Sequence, residues 1–438
     1  MNFLSKLFSP SEEQDPDISF GRSYERVMSQ EQIDHWDQAM RAFDHEQFLD
    51  SIEHFLLSLM QPEEDTVRYS RTESGISFTL CQGSRVVYGE ADLKWFRATA
   101  EIILCDLPNI GLFRRLLESS YKLMYGRYAQ LENNNIAILF DGYLQEASPY
   151  KLLYGLKEIA LRADKEDDLL SAEFTQVGRI PSPYVKVIPD EEKSIKYRYY
   201  RQWLEYALSP EPFGQLNKAK YPGASVYVYL SALYKIDYLL HPEGRIMEII
   251  ETAHKNYFSR EEVDLNNKVA ALEKVCRQLL QIPEESVKSE MYLVEHIFPI
   301  TSLITTRDLA EHIDTEMQAM VWYQDNEHTG ICKAICDYIA TNCFFNYTLP
   351  TVSHALLHQY FVMSEPDFFK ALGFKIRYDP FKNLQGSVRQ LSNDLKKIIE
   401  SHLGAQEGLD NILIFDDSGE VEWRISLIRL IQNFQYNA

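Results

Sequence analysis

A period of two runs through residues 66–105. Ile76, Phe78 and Leu80 fall on one side of the chain, and Ser77, Thr79 and Cys81 on the other. That is the pattern of an antiparallel strand with one face buried and one half-polar. Glu73-Ser74-Gly75 and Gln82-Gly83-Ser84 supply turns, so VRYSR, GISFTL and ATAEIILC read as three strands. The period on either side is helical. Ser29 heads QEQIDHWDQAMRAF with Gln32 in the capping-box position. Trp36, Ala39, Met40 and Phe43 then form one stripe, and Phe48, Ile52, Phe55, Leu56 and Leu59 a second, with Pro62 as the stop.

Downstream, Asp106-Leu107-Pro108 opens a helix over 109–125, with Leu112, Leu116, Tyr121 and Leu123 on its apolar side. RYAQLE and IAILF pair around Asn133-Asn134-Asn135, since Asn tolerates the positive φ of a tight turn. Ser148-Pro149 caps a closing helix that runs to about 173. The expected fold is therefore an α+β domain, α-β-β-β-α-β-β-α with an antiparallel sheet, over residues 25–175. Residues 176–193, with three prolines and no period, read as a linker. From 194 to 438 the chain is expected to be mainly α-helical, over 194–208, 224–240, 243–258, 260–281, 284–299, 307–324, 328–346, 351–362 and 384–403. No fixed repeat period appears, which predicts an irregular bundle. NILIFDD and EVEWRI around a DDSG turn predict a small hairpin before a last helix. Residues 1–24 are polar and Pro-containing and are expected to be poorly ordered, although Phe3, Leu4, Leu7 and Phe8 could form one helical stripe.

Composition narrows the function classes. The 438 residues carry a formal net charge of −21, and the acids are spread along the chain. Such a surface repels phosphate backbones, so nucleic acid is not an expected partner. No uncharged apolar run reaches the ~18 residues of a membrane span, so no insertion is expected. The six cysteines show no disulfide-scaffold spacing, and the opening MNFLSKLFSP lacks a signal-peptide core, both of which predict a cytoplasmic protein.

Candidate chemistry is sparse. His354 and His358 share a helix face, but Ala355, Leu356 and Leu357 between them bring no carboxylate base. His328, Cys332 and Cys336 lie on one ladder, yet i to i+8 spans about 12 Å, too far for three ligands on one ion. Glu191-Glu192, Glu261-Glu262 and Asp416-Asp417 have no EF-hand spacing. Neither a GxxxxGK[ST] nor a GxGxxG phosphate loop occurs, nor a GxSxG elbow. Tyr197, Tyr199, Tyr200, Trp203 and Tyr206, interleaved with Arg198 and Arg201, read as a packed helix face with snorkelling arginines. No cofactor or metal and no catalytic residue is expected.

The order of elements, with Leu116-Leu117-Glu118, Tyr125-Gly126-Arg127 and the acidic run Asp164-Lys165-Glu166-Asp167-Asp168, resembles the small α+β domain of type III secretion chaperones and their CesT/YbjN-like relatives over about residues 45–175. The hairpin before it is similar to a single tetratricopeptide unit. The resemblance implies a non-enzymatic protein-binding or chaperone-like adaptor of the bacterial cytoplasm, and a homodimer surface over 109–141. The large helical part departs from that family, whose true chaperones are short and free-standing. The sheet points to Ile76, Phe78, Leu80 and Ile102 as apolar residues that bind another polypeptide. The polar face with Ser77, Thr79, Arg97, Thr99 and Glu101 would be left for solvent, for a partner or, as the first expectation, for the helical half. Two other readings stand beside this one: a metal-dependent enzyme or metal-binding protein with a site around His354, His358 and Cys332, and a structural subunit of a larger assembly.

Overall fold

The computed structural model describes residues 15–21, 28–61, 64–105, 109–261, 263–299, 301–404 and 408–437. Two helices open the fold, α1 (Gln30–Asp44) and α2 (Phe48–Leu59). The expected capping box starts α1: Ser29 Oγ accepts from Gln32 N at 3.2 Å, and Gln32 Oε1 accepts from Ser29 N at 2.9 Å. Four strands follow, β1 (Val67–Thr72), β2 (Gly75–Gln82), β3 (Arg85–Asp92) and β4 (Trp95–Leu104). Then come α3 (Ile110–Ser120), β5 (Arg127–Gln130), β6 (Ile136–Tyr143) and α4 (Pro149–Glu173). The sheet runs β1-β2-β3-β4-β6-β5, antiparallel throughout. The fold class is the expected one: an antiparallel sheet with helices, then a mainly helical part.

The order gains one strand over the sequence pattern, because β3 was not separated from its neighbours. RVVYGEAD turns only small groups inward beyond Val87, namely Gly89 and Ala91, so it lacks an apolar stripe. The reason lies across the sheet. Phe78 lies over Gly89, where an added Cβ would come 1.9 Å from its ring.

Leu152, Leu156, Ile159, Ala160 and Ala163 of α4 lie buried in one core with Ile76, Phe78, Leu80, Phe96 and Ile138 of the sheet, and Ile52, Phe55 and Leu56 of α2 join it. The segment after α4 is more than a linker. Gly178–Arg179 adds to β4 opposite Ile103 and Leu104, and Lys186–Val187 pairs with Tyr292–Leu293.

The second part holds α5 (Asp190–Leu208), α6 (Pro222–Leu240), α7 (Gly244–Tyr257), α8 (Leu265–Leu280), α9 (Glu284–Ser289), α10 (Thr306–Asp325), α11 (Thr329–Asn346), α12 (Thr351–Ser364), α13 (Pro366–Ala371), α14 (Leu384–Leu403), α15 (Leu409–Ile412) and α16 (Glu420–Asn437). Tyr199, Tyr200 and Trp203 are buried in its core, while Tyr206 remains substantially exposed.

Three expectations need correction here. The helix expected over 284–299 stops at Ser289, and Ile297 and Phe298 leave the helical half to enter the core of the sheet domain. The helix expected from 260 starts at Leu265, where Asp264 accepts from Asn266 N at 2.9 Å. The C-terminal hairpin is absent among the described residues: 409–412 is one helical turn and EVEWRI belongs to α16. Its apparent alternation also fits a helix, since Val421, Arg424, Ile425 and Ile428 are buried and Arg424 pairs with Glu420 at 3.1 Å.

Within the segment expected to be poorly ordered, residues 15–21 are packed on the helical half. Phe20 sits among the rings of Tyr238, His358 and Phe369, and Gly21 N donates to Tyr238 O at 2.8 Å. The stripe of Phe3, Leu4, Leu7 and Phe8, like Pro62 and the Asp106-Leu107-Pro108 opening, lies outside the described residues.

Candidate protein-binding surfaces

Ile76, Phe78, Leu80 and Ile102 are all buried in the core between the sheet and its helices. They are spent on intramolecular packing, so they hold the domain together and present nothing to a partner. The opposite face of the sheet is open. Arg68, Ser70, Ser77, Thr79, Tyr88 and Arg97 border a concavity of about 640 Å³ lined wholly by β1–β4. The helical half, expected over this face, docks instead at the β2–β3 turn and along the C-terminal part of α4.

The open face is largely polar and satisfied. Arg127 makes a two-pronged ion pair with Asp141 across β5 and β6, at 2.8 and 2.6 Å. That hydrogen bonding holds the Asp141 carboxyl below its ordinary pKa, although burial opposes it. Trp95 and Tyr143 stack at 4.3 Å between ring centroids. A surface already paired in this way offers a partner geometry but little apolar gain.

The outward side of α3 is different in kind. Asn109 caps the helix, its Oδ1 accepting from Leu112 N at 3.1 Å. Leu112, Leu116 and Ser119 point inward and are buried, and Arg115 ties the helix to Glu166 and Glu173 of α4 at 3.5 and 3.4 Å. On the other side, Ile110 is 88% exposed, Leu117 74%, Tyr121 95% and, just beyond the helix, Met124 85%. The loop that carries Met124 is fixed. The Glu158 carboxylate of α4 accepts the backbone N–H groups of Met124, Tyr125 and Gly126 at 2.6, 2.8 and 2.9 Å. One turn before Glu158, Tyr154 is also exposed. Singly exposed apolar residues are ordinary, whereas four large ones on one short helix and the loop after it leave an unusual amount of apolar surface uncovered.

The sequence pattern placed Tyr121 on the buried side of this helix. A sharper signal was present. Ile110, Leu117 and Tyr121 stand seven and four apart, on the side opposite Leu112 and Leu116, so the helix is apolar on two faces and can bury only one in its own domain.

The residues of the metal reading are accounted for by packing. His358 Nδ1 lies 2.8 Å from the Tyr238 hydroxyl, and His354 meets Phe344 edge-on at 5.0 Å. Burial drives their pKa values down, to about 4 for His354 and about 3 for His358. Cys332 and Cys336 are buried, and burial pushes the Cys332 thiol up to about 11. Among the described residues, no group of three or more His, Cys, Asp or Glu is placed to hold a metal ion. No helix among them is long and apolar enough to cross a membrane.

No family model matches the chain, and no curated protein matches it. The functional reading therefore rests on surface chemistry.

Proposed function

We propose that this chain is a non-enzymatic, chaperone-like adaptor of the bacterial cytoplasm that binds another polypeptide through the outward face of α3 and the loop after it. The observation that supports this is the stripe of Ile110, Leu117, Tyr121 and Met124. Full burial of one such side chain is worth roughly 1.5–3 kcal/mol. Four together exceed the lower estimates of the association cost, about 4 kcal/mol. The open face of the sheet then serves as a secondary, polar contact.

The same stripe lies within 109–141, the segment expected to pair two copies. Arg114 and Glu118 flank Leu117, both well exposed and bonded to each other at 2.9 Å. An antiparallel two-fold pairing of two α3 helices sets Arg114 of one copy against Glu118 of the other, which favours self-association as the first form of contact.

The test is the double variant Leu117→Glu/Tyr121→Glu in the full chain, compared with wild type by light scattering and by co-purification from the native host. The wild type is expected to self-associate or to retain one defined polypeptide, and the variant to lose that contact while unfolding at the same denaturant concentration. A wild type that stays monomeric, with a partner held equally well by the variant, would refute the role of this surface.

A further inference from the structure

The two halves of the molecule meet at a seam built on the β2–β3 turn, residues 82–85. On one side of the turn, Gln82 Oε1 accepts the N–H groups of Ile297 and Phe298 at 3.2 and 2.9 Å, its amide nitrogen lies 2.8 Å from His296 Nδ1, and Gly83 N donates to Glu295 O at 2.7 Å. These bonds hold the segment that carries Ile297 and Phe298 into the sheet-domain core. On the other side, the turn receives the last turns of α4. Asp164 Oδ1 accepts from Ser84 N at 2.6 Å, and Asp167 Oδ2 accepts from Arg85 Nε at 2.9 Å. Gly83 has a φ of +57°, and a Cβ there would come 2.0 Å from the Asp164 carboxylate, so the carboxylate rests directly on the glycine backbone. Asp168 completes the set, accepting from the Tyr292 hydroxyl at 2.5 Å and pairing with Arg179 at 3.1 Å.

The hydrogen count at Ser84 does not close with ionised carboxylates. Ser84 Oγ lies 3.1 Å from Asp164 Oδ1 and 2.7 Å from Asp167 Oδ2, and accepts from Arg85 Nε at 3.2 Å on one of its two lone pairs. A hydroxyl has one hydrogen and can donate to only one of them. The other contact becomes favourable when a carboxyl proton is donated back to Oγ. Asp167 Oδ1 is buried with no hydrogen-bond partner, which is costly for a charged oxygen and cheap for a neutral one.

Among the described residues, the charged groups around the three aspartates come from several elements. Arg85 faces the aspartates from β3, Arg179 from the short strand paired with β4, and Arg245 lies at the start of α7. The carboxylates gathered with them are Asp164, Asp167 and Asp168 of α4, Glu243 before α7, and Glu290 after α9. Tyr292 is a neutral donor, His241 lies 3.3 Å from Glu243, and the thiol of Cys81 faces Asp164 and Glu295. Glu295 is balanced by Lys186 at 2.7 Å. On α4 itself, Lys165 is turned to Glu251 at 2.7 Å, and Glu166 to Arg162 at 2.5 Å.

We propose that a proton shared around Ser84 by Asp164 and Asp167 fixes the β2–β3 turn on α4 and, through Gln82 and Gly83 of that turn, holds the helical half at the seam, and that its loss loosens both. Burial pushes the carboxyl of Asp164 up to about 7, against the hydrogen bonds from Ser84. Burial and then the Asp168 charge raise Asp167 as well. The Glu290 carboxyl, half-buried and near Asp168, moves up to about 7 in spite of the N–H of Ile246. In the opened seam these groups return to ordinary carboxyl values near 4. The closed form therefore binds more protons than the open form between about pH 4 and pH 7. Opening increases roughly tenfold per pH unit and per proton across that window, and levels off above it.

Hydrogen exchange of the full chain at pH 5 to 8, corrected for the intrinsic rate of each amide, reads the opening at Gly83, Ile297 and Phe298. The wild type should exchange faster with each unit up to about pH 7. Asp164→Asn mimics the protonated acid with a neutral donor, and should lower the steepness by about one factor of ten per unit. A pH-independent seam in the wild type, or an unchanged slope in Asp164→Asn, overturns the proposal. If that variant does not fold, infrared difference spectroscopy of Asp167→Asn against wild type at pH 6 decides: a protonated-carboxyl band present in the wild type and lost in the variant supports the shared proton, and identical bands in the two overturn it.

Discussion

Replacing Lys235 by methionine tests how the helical half is held together. Lys235 is buried in α6, with Nζ 2.7 Å from Asp337 Oδ2 of α11 and 2.6 Å from Glu365 Oε1 beyond α12. The acids are tied in turn: the Tyr360 hydroxyl donates to Asp337 Oδ1 at 2.5 Å, and Trp203 Nε1 donates to Glu365 Oε2 at 3.1 Å. Burial alone would lower the Lys235 pKa, but the two carboxylates more than reverse this. Burial would likewise raise Asp337, but Lys235 and Arg424 bring it below its ordinary value. The cluster thus keeps its charges because each one compensates the others. Methionine matches the length of lysine, so no large cavity forms, and the loss isolates the electrostatic effect. It leaves Asp337 and Glu365, both half-buried, without the cation they share. Removing one partner of such a group costs about 3–5 kcal/mol. Urea unfolding at pH 7, followed by the fluorescence of the buried Trp203 and Trp423, should show a loss of that size. Because Asp337 can then take up a proton, the loss should shrink as the pH falls towards 5. Lys235→Met/Asp337→Asn should recover part of it. A loss below about 1 kcal/mol at pH 7, or one that grows with acid, would refute the compensation argument.

Two further outcomes follow from packing and burial. Gly89→Ala should destabilise the sheet domain by about 1–3 kcal/mol through overpacking, since its Cβ meets the Phe78 ring, whereas Gly223→Ala in α6, with nothing within 4 Å, should be neutral or stabilising by up to about 1 kcal/mol; equal effects in thermal unfolding would contradict the packing at Gly89. His354 and His358 have depressed pKa values in the folded state, about 4 and about 3, so the unfolded chain binds more protons below its ordinary value near 6.5. Their contribution is complete above that pH and is lost as the pH falls, at roughly 1.4 kcal/mol per unit for each histidine. A His358→Gln variant whose stability keeps the full wild-type slope between pH 6.5 and 4.5 would remove His358 as a source.

Periodicity alone determined the two-part fold. Ile76, Phe78 and Leu80 alternate because a strand turns successive side chains to opposite faces, and the caps at Ser29 and Ser148 mark helix starts because they answer unpaired N–H groups near the chain. These are local forces, and a single sequence shows them. What periodicity cannot state is which apolar face is covered. Ile76, Phe78, Leu80 and Ile102 are interior because α2 and α4 lie on them, and the outward stripe of α3 is bare because none of the described residues covers it. Gly89 marks a strand only once Phe78 is seen lying across it. The helix expected over 284–299 stops at Ser289, nearly three turns early, and Ile297 and Phe298 are buried in the neighbouring core instead. The acidic run at 164–168 was legible as residues, but not as a seam. Ser84 and Asp167 are 83 positions apart, and only the tertiary structure places one hydroxyl hydrogen between two carboxylates.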